Sequence, residues 1–157
     1  MNLTPGELAR MQRLIPEARE RVWRVIEGMA ARGFDVYVGS TSRTAEEVAR
    51  AAAAGRASIG MKYDWHMLGR AADLRRRKPD GGVNFDQGPA SEPFWRALWE
   101  EAGKHELRSL AYRDDGSKLI IHAAKGDIWD SGHVEYRVPY ATLAEAVAAE
   151  LPAHRTS

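Results

Sequence analysis

Apolar residues recur along the chain first with the period of a helix and then with that of a strand. Thr4-Pro5-Gly6-Glu7 has the layout of a helix start: a Thr cap, Pro at the first helical position, and Glu placed to close a capping box. Leu8, Met11 and Ile15 follow at helical spacing. Pro16 then punctuates, ahead of a stronger helix whose Ala18, Val22, Val25, Ile26 and Met29 share one face. Gly33 stands where a helix C-terminal glycine belongs. Phe34, Val36 and Val38 alternate with Asp35 and Tyr37, the pattern of a half-buried strand.

After Gly39-Ser40-Thr41-Ser42-Arg43, Thr44 and Glu47 repeat the capping-box pattern and predict an Ala-rich helix ending at Gly55, with 56–65 as loop. Ala71 to Leu74 reads as a short buried strand, and Arg75 to Ala90 as a polar excursion containing Gly and Pro. Ser91 caps a third substantial helix that turns Phe94, Leu98 and Ala102 inward and stops at Gly103. Leu107 to Tyr112 and Lys118 to Ala123 flank Asp114-Asp115-Gly116, a hairpin signal. His133 to Val138 forms a final strand, and Leu143, Val147 and Leu151 stripe a closing helix. Helices cluster early and strands pair late, which favours an α+β arrangement over a doubly wound parallel sheet. No repeat or linker divides the chain, so residues 1–157 are expected to form a single domain.

Composition narrows the chemistry. With 23 Lys plus Arg against 22 Asp plus Glu, the chain lacks the basic excess of a nucleic-acid binder, and no nucleic-acid partner is expected. There is no cysteine, so disulfides are excluded and any metal site must be built from His, Asp, Glu and water. No apolar run approaches the roughly 20 residues that span a bilayer. The opening Met1 to Glu7 lacks the basic-then-apolar layout of a signal peptide, so synthesis in the cytoplasm is expected.

Two segments stand apart: His66-Met67-Leu68-Gly69-Arg70-Ala71-Ala72-Asp73-Leu74 and Asp130-Ser131-Gly132-His133-Val134-Glu135-Tyr136. Each joins an imidazole and a carboxylate near a strand, where side chains are held rigidly. Two His and one carboxylate suffice as the protein shell of a catalytic zinc, with the fourth position left for water. Asp130, three residues before His133, is spaced to reach a water beside His133 and take its proton. On spacing alone, His66 and His133 read equally well as polar residues at strand ends with local hydrogen bonds.

His66-x-x-Gly69-Arg70-Ala71-x-Asp73-Leu74 resembles the His-x-x-Gly-x-Ala-x-Asp signature of the D-Ala-D-Ala peptidase and L-alanyl-D-glutamate endopeptidase family of zinc peptidases. Asp130-x-x-His133 is similar to that family's acid-x-x-His element, and Ser42-Arg43 ahead of a capped helix to its Arg-Ser region. The three matches occur in family order, and the resemblance covers about residues 15 to 140. The resemblance implies a small α+β peptidase domain of the D-Ala-D-Ala peptidase/Hedgehog-like type, its central antiparallel sheet carrying zinc and helices packed on it. It also implies roles: His66, Asp73 and His133 as zinc ligands, Asp130 as general base and later proton donor, and Arg43 beside the scissile carbonyl. The chain departs from the family at Asp64, where Ser is common two residues before the first His, and at Thr41-Ser42-Arg43-Thr44, where Tyr-Arg-Ser is usual. Its base is Asp where several carboxypeptidases and dipeptidases have Glu, which favours the endopeptidase branch.

The expectation is therefore a monomeric, single-domain, phage-type endolysin without a separate wall-binding domain. It would cleave the L-alanyl-D-glutamate bond of peptidoglycan stem peptides, acting on the wall after release from the host cytoplasm. The alternatives are a D-Ala-D-Ala dipeptidase or carboxypeptidase, and a non-catalytic zinc-binding module of the same fold, against which Asp130 argues. Around the motifs, alternation puts Glu135 on the face of His133, as support for the site. Arg75-Arg76-Arg77-Lys78 reads as a solvated loop, with attraction of anionic wall polymers as the functional reading. Trp65 and Trp129 fit either core packing or a groove wall, and Trp95 and Trp99 belong to a helix face in the core. His105, His122 and His154 show no partner pattern.

Overall fold

The computed structural model describes residues 2–42, 64–84, 91–109 and 131–151. The expected helix over 44–55, the Asp114-Asp115-Gly116 turn, Arg43, Trp129, Asp130, His122 and His154 lie outside these residues.

Helix α1 (Pro5–Met11) opens as its capping box dictates: Thr4 Oγ1 accepts from the Glu7 amide at 3.2 Å, and the Thr4 amide donates to Glu7 Oε2 at 2.9 Å. It ends at Met11; Ile15 instead caps α2 (Pro16–Ala31), its amide donating to the Gly69 carbonyl. The predicted stripe of α2, Ala18 to Met29, is buried. Strand β1 (Val36–Val38) follows, then β2 (Ala71–Arg77), β3 (Val83–Asn84), α3 (Glu92–Lys104), β4 (Arg108–Ser109), β5 (His133–Glu135) and α4 (Leu143–Glu150).

All pairings are antiparallel, in the order β1-β2-β5-β4 with β3 also on β2. β2 is therefore the axis of the sheet. Its first residues, Ala71 to Asp73, pair with β5, and its last, Leu74 to Arg77, pair with β1 and β3. The strand runs three residues past the expected Leu74 end, so Arg75, Arg76 and Arg77 are strand residues and not a solvated loop. Their charges are accommodated by neighbours. Arg77 pairs with buried Glu7 and with Asp35, and Arg75 and Arg76 lie over the rings of Trp95 and Phe34. Only Lys78 of that run is exposed.

Alternation sends Ala72, Leu74, Val36, Val38 and Val134 to one face, where α2 and α3 cover them with Met29, Phe94, Leu98 and Trp99. Trp95 and Trp99 are core residues, as their helix face implied. The opposite face carries Ala71, Asp73, His133 and Glu135. Trp65, Leu68 and α4 residues Ala146 and Val147 close over its Ala71 end, which places Trp65 in a second core cluster. The small α+β domain expected from the sequence is the fold observed. No helix among the described residues is long and apolar enough to cross a membrane.

Candidate metal centre

His66 sits in a tight turn just ahead of β2. Successive amides bond back along it, Leu68 to Trp65 and Gly69 to His66, and the Asp64 carboxylate accepts from the Met67 amide at 3.1 Å. Asp64 thus serves as the cap of this turn. Gly69 has φ +67°, and a Cβ there would stand 2.9 Å from the Arg13 carbonyl oxygen. The Gly of the signature is therefore required twice, by its left-handed backbone and by its close approach to the α1–α2 junction.

Arg70 follows, and sequence reasoning gave it no role. It is buried and forks onto Glu150 of α4, with Nη2 2.8 Å from Oε2, while Nη1 donates to the carbonyls of Tyr136 and Val138. The rings of Tyr136 and Tyr140 lie within reach of the same guanidinium. Arg70 ties the start of β2 to the segment after β5 and to the closing helix.

Asp73 and His133 are direct partners across β2 and β5. The Leu74 amide donates to the Gly132 carbonyl and the Tyr136 amide to that of Arg70, so the Asp73–His133 pair falls between ladder bonds, where facing side chains come closest. Asp73's own amide and carbonyl turn the other way, to Ser40 and Gly39, both at 2.8 Å. Gly132 makes this approach possible, since a Cβ there would stand 2.2 Å from the Leu74 carbonyl oxygen.

The result is a cluster. Oδ1 of Asp73 lies 3.3 Å from Nε2 of His66 and 3.5 Å from Nδ1 of His133, and one ligand atom from each residue lies within 4.8 Å of the others. Two ligand atoms about 2.0–2.1 Å from a tetrahedral zinc stand about 3.3 Å apart, so the observed separations suit that ion. His66 is buried, and neither of its ring nitrogens has a hydrogen-bond partner among the described residues. Buried imidazole nitrogens left in that state are costly unless something else takes the lone pair, and a metal does. The donor set and its geometry fit zinc.

On its outer side His133 meets Glu135, whose Oε1 is 2.9 Å from Nε2, and Glu135 in turn accepts from Nε of Arg137. Burial opposes ionisation of Asp73, but the neighbouring imidazoles of His133 and His66 hold its carboxyl far below the usual carboxylate range. Burial likewise opposes charge on His133, yet Asp73 and Glu135 together push its pKa up to about 10. Burial would raise Glu135, and His133 and Arg137 hold it down instead.

The structure therefore gathers three of the five predicted site residues, His66, Asp73 and His133, while Arg43 and Asp130 lie outside the described residues. Glu135 stands where strand alternation put it. His105 is a half-buried residue at the C-terminus of α3.

No family model matches the chain, nor does any curated protein. Solved structures do. The L-Ala D-Glu endopeptidase ChiX of Serratia marcescens matches with a TM-score of 0.61 at 12% identity, over 93% of this chain and 93% of its own. The LD-carboxypeptidase LdcB matches at 0.55 and 19% identity, over 87% of this chain and 70% of its own. The L,D-carboxypeptidase DacB of Streptococcus pneumoniae matches at 0.52 and 20% identity, over 87% and 71%. At these identities the likeness is one of architecture: the chain has the fold of these peptidases, and its His66, Asp73 and His133 converge on one face of that fold's sheet.

Proposed function

We propose that the protein is a zinc-dependent peptidoglycan peptidase that hydrolyses the L-alanyl-D-glutamate bond of the stem peptide. The observation that carries this reading is the convergence of His66 Nε2, Asp73 Oδ1 and His133 Nδ1 at tetrahedral spacing. Likeness to ChiX over nearly the whole of both chains supports the choice of bond.

His66, Asp73 and His133 would hold the ion. When bound, zinc supplies Lewis acidity to a water and to the scissile carbonyl. Asp130, three residues before His133, accepts the proton of the attacking water at its carboxylate and passes it to the departing amine. Arg43 offers its guanidinium to the negative charge that develops on the carbonyl oxygen. The lytic, phage-type role and the monomeric state expected from the sequence belong to the same proposal.

A carboxypeptidase reading has specific support in the likeness to LdcB and DacB. Mass spectrometry of purified peptidoglycan after digestion, with and without chelator, decides between them. New N-terminal D-glutamate, abolished by chelator, is the expected product; release of a single C-terminal alanine would make the enzyme a carboxypeptidase. Fragments unchanged by the protein would leave a zinc-binding module without catalysis.

A further inference from the structure

We propose that Glu135 and Arg137 are a positioning pair that sets the imidazole of His133, engaging Nε2 on the outer side so that Nδ1, on the Asp73 side, is the nitrogen offered to the metal. This rests on the reading of His66, Asp73 and His133 as metal ligands and deepens it.

Glu135 is only 2% exposed, and its two oxygens are divided between two tasks. Oε1 meets Nε2 of His133 at 2.9 Å, and Oε2 accepts from Nε of Arg137. His133 and Glu135 are alternate residues of β5 and share a face, so the contact comes with the strand and needs no turn. A carboxylate accepting from one ring nitrogen fixes the proton there, frees the other nitrogen for a metal, and makes that nitrogen a better donor. Arg137 keeps the carboxylate anionic and oriented. Its guanidinium also lies 5.4 Å from the ring centroid of Trp65, the residue directly before His66. The pair thus braces the two ligand-bearing segments against each other. Among the described residues, Nδ1 of His66 has no such brace. His133 is the pre-set ligand of the site.

The test uses the whole chain with zinc alone as probe. Zinc affinity is measured by competition with a chromophoric chelator, and nitrogen-15 spectra of the zinc-loaded protein report the His133 ring. Glu135→Leu is expected to weaken zinc binding by about 10- to 100-fold and to lose the slowly exchanging Nε2–H signal. Glu135→Gln, whose amide oxygen still accepts, should recover most of that affinity and keep the signal, which a residue that merely packs would not do. Arg137→Leu should fall between them. Zinc binding by Glu135→Leu within about twofold of wild type, with the Nε2–H signal intact, overturns the proposal. If that variant does not fold, the wild-type spectrum decides: a protected Nε2–H on His133 supports the pair, and a proton on Nδ1 overturns it. A wild type that takes up no zinc removes the metal centre and this inference together. A wild type that binds zinc while Glu135→Leu behaves identically removes this inference alone.

Discussion

At its Arg77 end β2 buries a charge that the chain itself neutralises, whereas at its Asp73 end it gathers two imidazoles around one carboxylate oxygen. Arg77 meets Glu7, which is fully buried and also accepts from the backbone of Thr4 at 2.9 Å and of Val38 at 2.8 Å. Every oxygen of that carboxylate has donors. Around Asp73 two imidazoles face one carboxylate oxygen, and the His66 ring finds no hydrogen bond among the described residues. The first arrangement is complete as protein; the second has the donor set of a candidate metal centre. Glu7, reaching from α1 to one end of β2, thus holds the fold, while Asp73 at the other end stands in the candidate metal centre.

The largest effects should come from the Asp73 end. Asp73→Asn should lose zinc and activity together, because a neutral amide is a poor ligand. Asp130→Asn should keep the zinc and lose about 100- to 10,000-fold in turnover, since an amide cannot accept the water's proton. Zinc content and turnover measured on both variants separate ligand from base; zinc loss in Asp130→Asn would merge the two roles. At the other end, Glu7→Ala should cost about 3–5 kcal/mol of stability by leaving Arg77 underpaired. It should leave turnover per folded molecule near wild type, as denaturant unfolding and an assay well below the transition would show. An activity loss as deep as that of Asp73→Asn would dissolve the contrast between the two ends.

Arg43→Ala should lower kcat by about 100-fold without loss of zinc, and Lys should rescue it only in part, for want of the planar fork of donors. Unchanged kcat/KM would return Arg43 to a structural role. The smallest effect is the pH dependence of Glu7. Burial raises its pKa, but the Thr4 and Val38 amides and Arg77 together hold it below the ordinary carboxylate value. A carboxyl depressed on folding stabilises the protein fully above its unfolded pKa of about 4.3, and that stability is lost as pH falls through the folded value. Glu7→Gln should therefore flatten the acid limb of the stability curve below about pH 4.3, with urea midpoints as the measure. An unaltered limb would show that other carboxylates govern it.

The clustering of His66, Asp73 and His133 was legible through the family resemblance, since spacing alone left local hydrogen bonding as good a reading, while alternation alone put Glu135 beside His133. The α2 stripe and the β1 alternation were legible from periodicity too, each element burying one face. The arginines of β2 were not. Reading Arg75 to Arg77 as loop assumes that consecutive charges seek water, whereas their partners lie far off in sequence, Glu7 before α2 and Asp35 beside β1. The work of Arg70 was hidden likewise, since Glu150 is 80 residues away. The need for Gly132 was not legible either: only the Leu74 carbonyl, 2.2 Å from where its Cβ would stand, shows why nothing larger fits.

The facing of Asp73 and His133 across β2 and β5 has a consequence for how the chain finds its fold. These partners lie 60 positions apart, and a slip of one residue would set Val134 or Gly132 opposite Asp73 and turn His133 to the far face. A near-native sheet that is wrongly paired therefore has no ion site at all. Under the proposed metal reading, zinc would bind only the correct pairing and so discriminate among compact conformers that hydrophobic burial alone scarcely distinguishes. At a hundredfold excess over its dissociation constant this selection is worth about 2.7 kcal/mol. Zinc supplied during refolding should accordingly raise the yield of correctly paired protein more than the speed at which the chain collapses.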